Sequence, residues 1–288
     1  MDKKMALHSA ARRFCEDRFG RWTERYGALC ESGKGRVPHE SDIGWDYSEE
    51  AYGVFPKYRL DEAIQIGLEK IIPQLAGSLE DLRSLFEATA QVAFKKLSAE
   101  LTNPISQKAL TSEIEEFLSY IHSLNDADLL AVRPLPHRRA LSDEESKALW
   151  GKLKSRWDIG GGYWFPLRIG DPPPNLMAFH EEYFEEMDGT RLLREALASR
   201  DIDFVLQAHE LGPADYEIEL SLLSPRYGRW GEVYSTSEMA DWVVYASHES
   251  SITLAGDWLV SLFKARCPDW RTRLYGGPHS TTDLRGRW

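Results

Sequence analysis

Apolar residues recur along this chain at two different periods, and the change falls near residue 160. Before it, the spacing is i, i+3, i+4, which predicts helices. Residues 5–29 make the first, with Phe14, Phe19, Trp22 and Tyr26 near helical spacing and Arg12, Arg13, Arg18 and Arg25 between them. Such a helix packs its rings on a core and leaves its arginines in water. Leu60, Ala63, Ile64, Leu68, Ile71 and Leu75 form a second stripe, ended by Pro73 and Gly77. Ser78-Leu-Glu-Asp81 opens a third helix in the manner of a capping box, and Asn103-Pro104 stops it. Ser112 opens a fourth, carrying Ile114, Phe117, Leu118, Ile121 and Leu124. Between the first two, Trp45 to Tyr58 is rich in rings, and Pro56 predicts an irregular loop pinned by them rather than a helix.

Arg133-Pro-Leu-Pro-His-Arg-Arg139 reads as an extended linker, and Ser142-Asp-Glu-Glu145 caps a helix ending at Trp157. Beyond it the texture changes. Gly160, Gly161 and Gly162 precede an apolar strand, Tyr163 to Leu167, the reverse of the order a dinucleotide fold requires. Leu176 to Ser199 predicts a helix with Phe179, Phe184, Met187 and Leu193 inward and Glu181, Glu182, Glu185 and Glu186 outward. Ile202 to Leu211 and Tyr216 to Leu223 predict a hairpin across Gly212-Pro213, the second strand alternating Tyr216, Ile218, Leu220 with Glu217, Glu219, Ser221. Trp230 to Gly256 predicts two or three further strands, and 256–266 a closing helix. The expected fold class is α+β, a helical N-terminal region followed by an antiparallel sheet with helices packed on one face. The expected divisions are 1–135, mainly helical; 136–270, carrying the sheet; and 271–288, a flexible basic tail.

Charge sharpens this picture. The formal net charge of the 288 residues is −11. Residues 181–219 hold 12 Asp and Glu against Arg191, Arg194 and Arg200, a balance of −9 that leaves the rest near neutral. Electrostatics therefore argue against nucleic acid as a ligand, and a basic protein is the expected partner. No apolar run approaches 18 residues, so no membrane span is expected. Cys15, Cys30 and Cys267 are odd in number and lack metal-ligand spacing, and the N-terminus has no apolar signal core. These features predict a reduced, cytoplasmic protein without a metal or other cofactor.

Candidate chemistry concentrates at 230–256. His248, Glu249, Ser247 and Glu232 are the candidate catalytic groups, with Trp164, Trp230 and Trp242 as an apolar wall and Tyr245 a further binding residue expected in the same cleft. Alternation puts Trp242, Val244 and Ala246 on one face of a strand and Val243, Tyr245 and Ser247 on the other. The plainer reading of Ser247-His-Glu-Ser250 is a polar hairpin turn whose side chains satisfy local amides. His39-Glu40, His180-Glu181 and His209-Glu210 repeat the His-Glu pairing, but none has the second histidine of a zinc-protease helix. No nucleophile-elbow motif is present. Two surfaces thus compete: the ring-lined polar patch, which would suit a hydrolase, and Glu181, Glu182, Glu185 and Glu186, which would suit an immunity-type neutraliser of a basic enzyme. A structural subunit of a homo-oligomer is the third expectation.

Overall fold

The computed structural model describes residues 2–38, 45–160, 164, 175–228 and 230–275. Two compact units divide the chain, Met1–Leu135 and Pro136–Trp288. The first is helical. Asp2 caps α1 (Lys3–Glu31) by accepting from the Lys4 amide. Arg36–Pro38 (β1) and Trp45–Tyr47 (β2) pair antiparallel. Ser48 caps α2 (Glu49–Glu69), Ser78 caps α3 (Leu79–Glu100) and Asn103 caps α4 (Pro104–Ser123). A reciprocal cap of Asn125 and Asp128 opens α5 (Asp126–Ala131). Leu7, Leu60, Ile64, Leu68, Phe86, Leu110 and Phe117 are fully buried where these helices meet. Each such side chain contributes roughly 1.5–3 kcal/mol by leaving water.

Three expectations change in this unit. Pro56 lies inside α2, not in a loop. Proline cannot donate to the carbonyl four residues back, and the hydroxyl of Ser106 on α4 donates to that Tyr52 carbonyl at 3.2 Å instead. The helix expected from Ser112 starts at Pro104, because Asn103 caps it and proline suits a first helical position. Finally, Arg12 and Arg18 are buried rather than solvated. Arg12 meets Glu69 at 3.3 Å, and Arg18 meets both Glu113 and Glu116. Lys57 adds a contact to Glu113 at 3.5 Å and the Trp22 indole N–H donates to it at 3.1 Å. Beside them the Asp61 carboxyl is buried, with no hydrogen-bond partner among the described residues. Burial, then the charge of Glu113, pushes its pKa up to about 9.

The second unit is built on a seven-stranded antiparallel sheet. Its strands are β3 (Arg138–Ala140), β4 (Leu176–His180), β5 (Phe204–His209), β6 (Tyr216–Glu219), β7 (Val233–Thr236), β8 (Val243–Ser247) and β9 (Ser251–Ala255). Their spatial order is β3-β6-β5-β7-β8-β9-β4. Helices α7 (Glu181–Glu186), α8 (Gly189–Ala198) and α9 (Asp257–Arg266) pack on one face through Phe184, Leu193, Leu197, Leu259 and Phe263. They meet Phe179, Val205, Tyr216, Trp242, Val244 and Leu254 there. Against the other face lie Leu149 and Leu153 of α6 (Asp143–Trp157), with Ile159 and Trp164, over Ala208, Tyr234, Val243 and Tyr245.

Leu176–His180, expected as helix, is an edge strand. It pairs with β9 from Leu176↔Ala255 to His180↔Ser251, and a sheet edge claims backbone donors that a helix would use internally. Asn175 before it and Asp188 after α7 both take left-handed conformations, with φ of 59° and 55°. The start of the expected tail is ordered: Leu274 bridges to Phe179, and the Tyr275 amide donates to the Ala178 carbonyl at 2.7 Å. The remainder of that expectation, 276–288, lies outside the described residues, as do His39-Glu40 and all of the strand expected at 163–167 except Trp164.

Candidate functional site

The hairpin β8–β9 turns through His248, Glu249 and Ser250, with Ser247 opposite Ser251. Ser250 is left-handed, at φ 56°, and its amide donates to the Ser247 carbonyl at 3.2 Å. The Ser247 hydroxyl accepts from the Glu249 amide at 3.2 Å and shares a hydrogen bond with the Ser251 hydroxyl at 2.8 Å. It is thus committed to the turn, and no hydrogen bond joins it to the His248 imidazole among the described residues. A serine nucleophile activated by that histidine has no geometry here.

The partner of His248 is Glu232, not its neighbour Glu249. Antiparallel pairing of Val233 with Ala246 brings the residue before β7 beside the end of β8. Glu232 Oε1 lies 2.5 Å from His248 Nδ1 and accepts from the His248 amide at 3.3 Å. The Glu232 side chain is fully buried, whereas that of His248 is 38% exposed, so an interior carboxylate orients an imidazole that reaches solvent. Tyr227 places its ring 6.1 Å from that of His248. Tyr245 stacks on Tyr234 at 4.8 Å, and burial, followed by the nearby Glu232 carboxyl, raises its pKa. The Glu210 carboxylate accepts from the Glu232 amide at 3.3 Å, extending the polar chain to β5.

The three proposed wall residues and Tyr245 separate. Trp164 lies 5.7 Å from Tyr245, on the Glu232 side of the sheet. Trp242 is fully buried on the opposite face against Trp258. Trp230 also belongs to that opposite layer, stacked on Tyr216 at 5.8 Å and 5.2 Å from the His209 ring. Period 2 along β8 is the reason: Trp242 and Tyr245 differ by an odd number of positions, so one cleft cannot hold both.

His209 is buried, and that burial lowers its pKa to about 4, so the ring is neutral near pH 7. His180 and His209 sit on strands four positions apart in the sheet, about 19 Å at the usual spacing. Among the described residues, no group of three or more His, Cys, Asp or Glu side chains is placed to hold a metal ion.

Asp215 was not singled out from the sequence, yet it ties α6 to the sheet. It accepts from the Ser146 hydroxyl, from the Trp150 indole at 2.9 Å and from the His209 amide at 2.9 Å. Nothing in its Pro-Ala-Asp-Tyr context marks it, because two of its three partners come from a helix some 65 residues earlier. Its effect is to fix Trp150 at the mouth of a groove of about 410 Å³ that Lys154, Ile159, His209 and Glu210 also line.

The acidic surface is short. In α7 only Phe184 is buried, and Glu182, Glu185 and Glu186 are exposed. Glu185 meets Arg226 at 2.6 Å and Glu186 meets Arg273 at 3.3 Å, while Glu181 is partly covered. Among the described residues no helix is long and apolar enough to cross a membrane. The chain is thus of the α+β class, with a helical region ahead of an antiparallel sheet. Comparison with protein families, characterised proteins and solved structures finds no match to it.

Proposed function

We propose that this protein is a binding module for a basic protein partner, in the manner of an immunity protein that neutralises a basic enzyme, and that α7 and α8 carry the docking face. The observation behind this reading is a six-residue helix that buries Phe184 alone and turns three carboxylates outward, next to exposed Asp188 and Glu195. The cations that answer them, Arg226, Arg273 and Arg191, are themselves on the surface. Exposed pairs of this kind contribute about 0–1 kcal/mol, so a partner's lysines and arginines can replace them at small cost. Free Cys15, Cys30 and Cys267 suit a reducing, cytoplasmic setting. The test is capture of partners from native lysate at low salt and at about 1 M salt, where the screening length falls to roughly 3 Å. A basic partner should be held at low salt, released at high salt, and lost by the Glu182→Lys, Glu186→Lys double variant. Equal capture by that variant would sink the reading.

A second reading, acid–base chemistry of hydrolase type, is favoured by the Glu232–His248 pair. A buried carboxylate on Nδ1 fixes the tautomer and leaves Nε2 to accept or deliver a proton. Hydrolysis of small nitrophenyl esters that disappears in His248→Asn would support it, and a wild-type rate equal to that variant's would remove it.

A further inference from the structure

Two opposite charges line the groove beside α6 without neutralising each other. Lys154 and Glu210 both border it, and neither has an oppositely charged side chain within 4.0 Å among the described residues. His209, its other ionisable group, carries no charge near neutral pH. Glu210 spends one carboxylate oxygen on the Glu232 amide, which fixes the side chain and leaves the other oxygen uncommitted. Trp150 and Ile159 give the groove apolar surface, and the Trp150 indole nitrogen is already held by Asp215. The ring is therefore set as a wall and not as a donor. At Gly151 and Gly160 a Cβ would meet nothing within 4 Å, so the backbone leaves the groove open there.

A groove with one fixed anion, one cation and an apolar wall matches a ligand bearing both charges on a compact body. The geometry points to a binding site for a zwitterionic amino acid, its carboxylate on Lys154, its ammonium on Glu210 and its side chain against Trp150 and Ile159. Lys154 is exposed and Glu210 partly buried, so a ligand with both charges gains an ionic contact at each end, where a single-charge ligand gains one. The volume of about 410 Å³ falls in the range of roughly 300–1,000 Å³ usual for small-molecule sites. This site is separate from the acidic face on α7, and it touches the Glu232–His248 pair only through the hydrogen bond from the Glu232 amide to Glu210.

The test is isothermal titration of the full-length chain with each of the common L-amino acids, followed by the N-acetyl and the amide derivatives of the tightest. One equivalent should bind, and each blocked derivative should bind about tenfold weaker or worse. Lys154→Met should weaken the free amino acid and abolish discrimination against the amide. Glu210→Gln, which keeps an acceptor for the Glu232 amide, should abolish discrimination against the N-acetyl form. Gly151→Phe should fill the groove and remove binding with the melting temperature retained. Absence of binding by every amino acid, equal binding of the blocked derivatives, or binding unchanged in Gly151→Phe would overturn the proposal.

Discussion

The two units bury polarity in different ways. In the helical unit, Arg12, Arg18, Glu69 and Glu113 are inside, so full charges from three helices are answered by one another, with the protonated Asp61 carboxyl beside them. In the sheet unit the buried polar groups are mostly hydroxyls on strands, Ser235, Thr236, Ser247, Ser251 and Thr253, with the carboxylates of Asp215 and Glu232 turned toward hydrogen-bond donors. A hydroxyl can satisfy itself on a neighbouring carbonyl or hydroxyl, as Thr236 does on the Trp242 carbonyl. A buried arginine cannot, and depends on its acid staying in place. The helical unit should therefore be the more sensitive to losing one member of a pair.

Arg18→Met is the strongest way to test that difference. It leaves the buried Glu113 with only Lys57 and the Trp22 indole and should cost about 3–5 kcal/mol in urea unfolding, the usual penalty for breaking a buried ion pair from one side. A loss under about 1 kcal/mol, the scale of an exposed pair, would erase the contrast. Asp61→Asn should act in the opposite direction. The folded protein holds the Asp61 proton up to about pH 9, against an ordinary carboxyl value of 3.8. The native state thus binds more protons than the unfolded chain between those values, and stability falls as pH rises through that window, by up to about 1.4 kcal/mol per pH unit. The amide removes this slope, so thermal melts of wild type and variant should coincide near pH 4 and separate progressively toward pH 9, the variant melting higher. In the sheet unit, Glu232→Gln should cost about 1–3 kcal/mol, the scale of a hydrogen bond to a charged group, because the His248 amide keeps an acceptor. A loss as large as that of Arg18→Met would show that both units rely on charge equally. Glu185→Ala, which removes only the exposed pair with Arg226, should change chemical stability by less than about 1 kcal/mol.

What could be read in the sequence follows the same division. Strands β7, β8 and β9 were legible from alternation because both ends of each are bounded by polar turns. The register between β7 and β8 then follows from their shared turn, and it carries Glu232 to His248; composition alone suggested the adjacent Glu249. The alternation that separates Trp242 from Tyr245 was visible as well, but gathering rings into one wall overrode it. Strand β4 was not legible, since Leu176–His180 runs straight into Glu-rich helical sequence and its pairing partner is β9, far along the chain. The charge network was equally hidden. Arg18 and Glu113 are 95 residues apart, and on a helical wheel a buried arginine looks like a solvated one. Pro56 misled for a related reason: the hydroxyl that compensates it, on Ser106, comes from another helix.

Strand order also sets a clock. During synthesis β4 emerges before β5, β6, β7 and β8, yet its place in the sheet is beside β9, the last strand made. Leu176 must wait for Ala255. At about 5–20 residues per second that delay is roughly 4–15 s. For those seconds a buried-type apolar segment, Met177-Ala-Phe179, stands with an unpaired backbone edge, the condition under which nascent chains stick to one another. The residues that leave the ribosome directly behind it are Glu181, Glu182, Glu185 and Glu186. Charged gatekeepers placed next to an obligatory apolar strand keep such an edge from recruiting its neighbours, and here they are in position before the strand has anywhere to go.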